Sequence, residues 1–419
     1  MQGAETIIVG GGMAGLGCAV ALEAAQHDWM LFEAADVLGG RVATAEVDGF
    51  CLDAGFQVLL TAYPEAQYFF DYQALQLGHY DPAARVWLGE GRWATVGDPL
   101  RAPRYLWSTM TAPVGNLGDK LRVAAWQRAA KGRDLREIWQ MPDIPAREAL
   151  REKGFSARMI SRFWEPYFGG IFLETALATS RRHLEFVFQM FNAGTAALPR
   201  GGIAALPRQL AQRLPTNRLR TGQPVAQVEP GRVQLAGGRT IEARRVVLAV
   251  DGDAAAQLLG DEALKPPAWH ATQCHYFAVP AAEMPVRRPL LHLNGSGLGV
   301  VQNLSFPSLA QPHYAPPGQH LLSVTTLSPT DPATVRAELA TWWGARARAW
   351  RHLRSVDIPA ALPDRQGLEP VELPAIRAPG LWLIGDYRGL PSLDSALGQG
   401  RRVAEKILTG QTEPNGYGR

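Results

Sequence analysis

A chain of 419 residues with 47% hydrophobic content can bury a large core and by length holds two domains or more, and nothing in its composition suggests disorder. Its formal charge of +3, from 42 basic and 39 acidic residues, is too balanced to argue for nucleic acid. Cys18, Cys51 and Cys274 lie far apart with no C-x-x-C pair, which excludes a disulfide framework and a thiol–disulfide centre and fits a reducing cytoplasm. No apolar run approaches the length of a membrane span, and the amino end lacks a basic n-region, so it reads as mature protein.

Residues 6–9 read as an apolar strand, 10–15 (Gly-Gly-Gly-Met-Ala-Gly) as a tight turn, the stretch to Ala25 as a helix, and a second strand ends at Glu33. That order is a βαβ unit opening a dinucleotide-binding domain. Gly10 permits the sharp turn, Gly12 has no Cβ to hold a diphosphate off the backbone, and Gly15 lets the helix pack on the sheet. The N–H groups around Met13 and Ala14, at the positive end of the helix, face the phosphates. Glu33, followed by Ala34, places a carboxylate where ribose hydroxyls can be bound and would repel a 2′-phosphate, disfavouring NADP.

Next come Gly39-Gly40-Arg41 and residues 49–55, Gly-Phe-Cys-Leu-Asp-Ala-Gly. Together with the glycine turn, these resemble the amino end of the FAD-dependent superfamily of amine oxidases, protoporphyrinogen oxidase and phytoene (carotenoid) desaturases. The resemblance implies FAD, bound without a covalent link, with Gly40 and Arg41 against its diphosphate. A permanently charged, forked guanidinium suits that place. His27-Asp28 stands where the superfamily usually has a helix-ending glycine, which should alter only the cap. The resemblance also places Phe56, Gln57 and Val58 beside the flavin ring; for Gln57 a plain surface role is the alternative.

Residues 62–71 should begin the next helix. From 99 to 192 apolar residues recur at helical spacing, as at Leu121, Ala124 and Ala125, and define a helical insertion. Between Arg101 and Arg136 stand eight basic and two acidic residues with Trp107 and Trp126 among them. The preferred reading is a solvated face with both tryptophans turned to the core; a basic surface resting on an anionic membrane is the alternative. The runs at 164–173 and 198–207 resemble the desaturase branch more than the amine oxidases.

Residues 224–228 form a strand, 232–235 and 239–242 a hairpin, and 245–250 a buried parallel strand followed by a helix. The resemblance implies that Val225 gives its backbone to the adenine. Strands at 270–279, 290–293, 299–305 and 320–327 indicate an antiparallel substrate sheet, with Gly295-x-Gly297-x-Gly299 as a hairpin turn. Amine oxidases carry a lysine on the first of these strands beside the flavin. Here Cys274 or His275 stands there, and the nearest lysine, Lys265, precedes the strand, so Gln57, Cys274 and His275 are the flavin-face candidates and no base is assigned. Cys274 as a small buried hydrophobe is the plainer reading.

An amphipathic helix is expected over 332–353. Residues 381–386 (Leu-Trp-Leu-Ile-Gly-Asp) then form a buried strand closing on Gly385-Asp386, and a helix opens near Leu393 and runs through Leu408. The resemblance implies Asp386 near the ribityl chain or diphosphate, and a helix amino terminus aimed at the flavin edge that turns anionic on reduction. The tail at 409–419 reads as frayed. The scattered histidines give no metal site.

The expected fold is therefore α/β: a Rossmann-type, glutathione-reductase-like FAD domain from 1–60, 198–265 and 375–419, with a discontinuous substrate domain from 61–197 and 266–374. The expected function is FAD-dependent oxidation of a small, apolar organic molecule, desaturase-like, by a cytoplasmic protein with possible peripheral contact to the inner membrane face. Amine oxidation at a C–N bond and a weakly catalytic FAD-binding redox or partner protein are the alternatives.

Overall fold

Thr6–Val9 is buried at every position, the pattern of a strand covered on both faces, and it forms the centre of a six-stranded sheet. The computed structural model describes residues 4–264, 268–364 and 376–410. Lys265 and most of the tail lie outside that range. Trp29–Phe32 and Arg245–Leu248 flank the central strand in parallel. Leu219–Arg220 extends one side; Leu381–Leu383 and the antiparallel Ile376–Ala378 extend the other.

Helix Met13–Ala24 packs across helix Leu393–Leu408 at very short range. A Cβ on Gly400 would stand 2.2 Å from the Ala14 carbonyl oxygen, and one on Gly17 3.1 Å from that of Leu397. Gly400 must be glycine for the helices to meet so closely, and a side chain at position 17 would require the backbone of Leu397 to give way. In place of the usual glycine, Gln26 takes the left-handed conformation at the end of helix Met13–Ala24, with φ of 54°. The backbone N–H of His27 donates to the Leu22 carbonyl and closes the cap.

A seven-stranded sheet runs Arg351–Pro363, Trp269–Pro280, Gln319–Thr326, Val301–Ser305, Leu291–Asn294, Ala83–Trp87, Trp93–Gly97. Its pairs are antiparallel except that Leu291–Asn294 runs parallel to Ala83–Trp87. Gly297 and Gly299, both at positive φ, form the turn between two antiparallel strands. Successive residues of Trp269–Pro280 face opposite cores. Cys274 and Tyr276 meet Phe50, Tyr80 and Tyr314, whereas Phe277 and Val279 join Trp87, Trp342 and Trp350.

The helix expected over 332–353 is shorter than its pattern. It ends at Trp343, where Gly344 turns out at φ 84°, and the chain re-enters as the strand Arg351–Pro363 alongside Trp269–Pro280. Beyond the glycine, Ala345–Ala349 form a 3-10 turn and residues 351–353 join the edge of the sheet, which periodicity alone does not reveal.

Helices from Leu106–Thr111 to Arg181–Ala193 make up the insertion. Its interior is aromatic: Trp126 stacks on Phe188 with ring centroids 3.5 Å apart and meets Trp164 edge-on. Buried Glu185 accepts from the Trp126 indole (2.9 Å) and Arg133 (2.9 Å) and pairs with Lys153 (2.6 Å). Trp126 thus faces the core as expected, but Trp107 does not: it is 79% exposed. Leu121, Ala124 and Ala125, the stripe that announced helix Leu117–Ala130, face outward, while Asp119, Trp126 and Ala130 are its buried residues.

Candidate active site

The glycine turn leaves the sheet at Gly10, whose φ of 106° and 2.5 Å approach of a would-be Cβ to the Ala249 carbonyl oxygen exclude any side chain. Gly15 is equally constrained, since its Cβ would fall 2.0 Å from the Gly10 carbonyl oxygen. Gly12 is different. It caps helix Met13–Ala24, and a Cβ there would meet nothing within 4 Å.

Opposite it, Gly40 at φ 58° would find only the Gly12 Cα, at 3.5 Å, and Gly39 N–H donates to the Gly11 carbonyl (2.9 Å). Two bare stretches of backbone therefore border open space at a helix amino terminus, where buried Met13 and Ala14 form the first turn. This fits a dinucleotide diphosphate.

Glu33, just past Trp29–Phe32, accepts from the N–H groups of Gly11 (2.6 Å) and Ala35 (2.8 Å), so both carboxylate oxygens are oriented while each keeps a lone pair for a ribose hydroxyl. Gly222 N–H donates to the Ala35 carbonyl and Gln223 N–H to that of Glu33. These bonds carry the chain past exposed Ala34 into the strand Val225–Glu229, so Val225 stands near the same end of the groove.

At the other end, Arg41 Nη2 donates to Asp386 Oδ1 at 2.7 Å and Nη1 to the Ala361 carbonyl at 3.1 Å, with the guanidinium carbon 5.7 Å from the Trp269 ring centroid. Burial opposes the guanidinium charge, but the Asp386 carboxylate more than offsets it and raises the Arg41 pKa. Gly385 N–H donates to Gln399 Oε1 (3.2 Å). Ser392 Oγ accepts from Ser395 N–H (3.0 Å), capping the helix that starts at Leu393. Next to it, buried Asp394 accepts from Glu65 N–H (2.8 Å), and burial raises its carboxyl to about 6.

Phe56, Gln57 and Val58 follow Gly55, which sits at φ 89°. Gln57 donates to the carbonyls of Ala54 (2.8 Å) and Arg41 (3.0 Å), so its amide group braces the Arg41 loop. Phe56 and Val58 pack against the core that holds Cys274 and Tyr276. The Cys274 thiol is buried 3.2 Å from Ser323 Oγ, and burial pushes it up to about 11.

His275, one residue on, faces the opposite core. Its Nδ1 lies 2.8 Å from Ser355 Oγ, and burial, then the neighbouring His352, lower it to about 4. The structure thus brings Phe56, Val58 and Cys274 together, and His275 lies away from them.

Sequence reasoning missed several residues of this region. Trp269 and the Ala361 carbonyl at Arg41 carry no local signal. Asp53 lay inside a quoted motif, yet its role appears only in three dimensions: it accepts from Thr44 Oγ1 (2.6 Å), Ile203 N–H (2.9 Å) and Tyr314 OH (2.8 Å) and so fastens the loop before Phe56.

Residues 13–408 match the family of flavin containing amine oxidoreductases, and the chain belongs to that family. It is accordingly an FAD-dependent oxidoreductase. In fold it is similar to putrescine oxidase bound to putrescine (18% identity, TM-score 0.72, covering 98% of this chain and 99% of that one). It is also similar to reduced UDP-galactopyranose mutase (16% identity, TM-score 0.70, covering 98% and 97%).

In sequence it resembles 15-cis-phytoene desaturase of Narcissus pseudonarcissus, at 40% identity over 70 residues, and that of Arabidopsis thaliana, at 40% over 67 residues. The matched stretch is 16% of this chain and 12% of each of those desaturases.

Proposed function

We propose that this oxidoreductase dehydrogenates an apolar organic substrate at a carbon–carbon single bond, in the manner of the desaturases, with FAD held non-covalently. The observation that carries the reading is the cluster in which Phe56, Val58 and Cys274 pack together. It is apolar, its thiol is held well above neutrality, and the strand Trp269–Pro280 contains no lysine. The local identity to phytoene desaturases supports the same side.

FAD, when bound, supplies the hydride acceptor. The chain's own residues hold and shield it. Glu33 binds ribose hydroxyls, bare backbone at Gly12 and Gly40 admits the diphosphate, and Arg41 offsets its charge. The capped amino terminus at Leu393 presents N–H groups to negative charge on the ring. Phe56 and Val58 exclude water from the reacting face. A small-molecule substrate fits the family, and we place the protein in the cytoplasm on the ground of its free, scattered cysteines.

The test is anaerobic addition of isoprenoids and of amines to the purified yellow protein while the oxidised-flavin absorbance is followed. Bleaching by an isoprenoid is expected. Bleaching only by an amine moves the assignment to C–N oxidation, and a protein that takes up FAD but answers neither panel is better read as a redox or partner protein. Release of the flavin on acid precipitation checks that it is not covalently attached.

A further inference from the structure

We propose that the outer face of the helical insertion seats the protein on an anionic phospholipid bilayer. The inference stands on surface geometry and is independent of the substrate reading. Eleven large hydrophobic side chains are exposed among the described residues, and six of them fall in one short stretch: Leu100 (85%), Leu106 (45%), Trp107 (79%), Met110 (43%), Leu117 (57%) and Leu121 (65%). Single exposed apolar residues are ordinary, but a contiguous set on one face marks an interaction surface.

Five of these six sit on two helices that are tied together. Leu106 and Met110 lie one turn apart on Leu106–Thr111, as do Leu117 and Leu121 on Leu117–Ala130. Lys120 bridges the two helices, donating to the carbonyls of Met110 and Ala112.

The charge around the patch selects the partner. Arg128 and Lys131 are exposed, and neither has a carboxylate within ion-pair distance among the described residues; Arg122, also exposed, faces the charge of Asp119. Arg158 and Arg162 both donate to the Pro113 carbonyl (3.1 Å each), which fixes two more guanidinium groups at the loop joining the helices. Nearby acids are already engaged. Asp119 is buried in the cap of its helix and bonded to Ser156, and Asp134 pairs with Arg136.

Exposed indole and leucine side chains with exposed cations on the same helices are the chemistry of a helix lying in a headgroup layer, and anionic lipid supplies counter-charge to those cations. The opposite side of helix Leu117–Ala130 opens, through Trp126, onto the aromatic interior.

Co-sedimentation with vesicles tests the inference. The holoprotein should pellet with phosphatidylcholine vesicles containing phosphatidylglycerol, much less with phosphatidylcholine alone, and come off at about 1 M salt, where the screening length falls to roughly 3 Å. The variant W107S/L121S should bind about tenfold more weakly or worse, from lost apolar insertion. L298S removes a leucine that is equally exposed, at 74%, but lies outside the patch, and should bind as wild type.

Retained flavin and an unchanged unfolding midpoint show that the variants are folded. Failure to pellet with anionic vesicles, equal binding by W107S/L121S, or equal binding to neutral vesicles overturns the proposal. Concentration-dependent dimerisation that W107S/L121S abolishes, without vesicle binding, assigns the face to a second copy instead. None of these outcomes depends on which substrate bleaches the flavin.

Discussion

Arg41 and Asp386, separated by 345 residues, meet in a 2.7 Å ion pair at one end of the glycine groove. One belongs to the loop after the second strand and the other to the turn after the last parallel strand. Their contact closes the groove from both sides. The arginine side chain is 42% exposed and that of Asp386 only 11%, and with solvent reaching the guanidinium the pair contributes a modest amount to folding, about 1 kcal/mol. Its value is therefore in aiming the guanidinium.

Arg41→Ala and Asp386→Asn should accordingly leave the urea midpoint of the flavin-free protein nearly unchanged. FAD affinity should fall by roughly 10- to 100-fold in Arg41→Ala through loss of charge-assisted bonds, and by less in Asp386→Asn. Titration of apoprotein by flavin fluorescence gives the affinities. Wild-type affinity in Arg41→Ala would remove the arginine from the cofactor site.

The glycines should separate stability from binding. Gly12→Ala adds a methyl group to open space and should fold normally while losing FAD, because the methyl occupies the phosphate approach. Gly15→Ala drives a methyl into the Gly10 carbonyl and should cost about 1–3 kcal/mol or more before any cofactor is added. Chemical denaturation beside flavin absorbance distinguishes the two. A flavin-loaded Gly12→Ala protein would show that the groove is not the diphosphate site.

Asp53 should leave a trace in the pH dependence of stability. Burial raises its carboxyl from 3.8 to about 6 despite three donors, so between those values the folded state holds a proton that the unfolded state has lost. Its contribution is present at low pH and is lost as pH rises through that window. Asp53→Asn cannot titrate. The stability advantage of wild type over the variant should thus shrink from pH 4 to pH 6, by on the order of 2 kcal/mol. Parallel denaturation curves for the two proteins across that range would refute the shift.

Thiol labelling should rank the cysteines. Cys274 and Cys18, buried and raised to about 11 and about 12, should resist iodoacetamide at mildly alkaline pH until the protein unfolds. Half-buried Cys51, in the hairpin strand Phe50–Asp53, should react first. Mass spectrometry of partly labelled protein reads the order. Early modification of Cys274 would mean that solvent reaches the cluster it shares with Phe56 and Val58.

Much of the cofactor region was legible in the sequence because its requirements are local. A glycine is forced at positions 10 and 15, and the place of Glu33 at the end of its strand follows from the order of strand, turn and helix. The pairing of Arg41 with Asp386 was not legible, since each was assigned to the flavin separately and contact between distant segments leaves no local pattern. Periodicity identified the helix carrying Leu121, Ala124 and Ala125 but not the direction of its stripe, because spacing defines a face without saying what lies against it. The first three residues of the strand Arg351–Pro363 were absorbed into the preceding helix for a similar reason: only the partner, Trp269–Pro280, makes them a strand.

The interlock of helix Met13–Ala24 with Leu393–Leu408 sets a clock for biosynthesis. The glycine turn leaves the ribosome early, yet Gly400, which must nest against Ala14, and Asp386, which must meet Arg41, arrive only after more than three hundred further residues. At about 5–20 residues per second that interval is tens of seconds. During it, the nascent chain carries the glycine turn, its helix and Arg41 without the two partners, Gly400 and Asp386, that pack and pair with them.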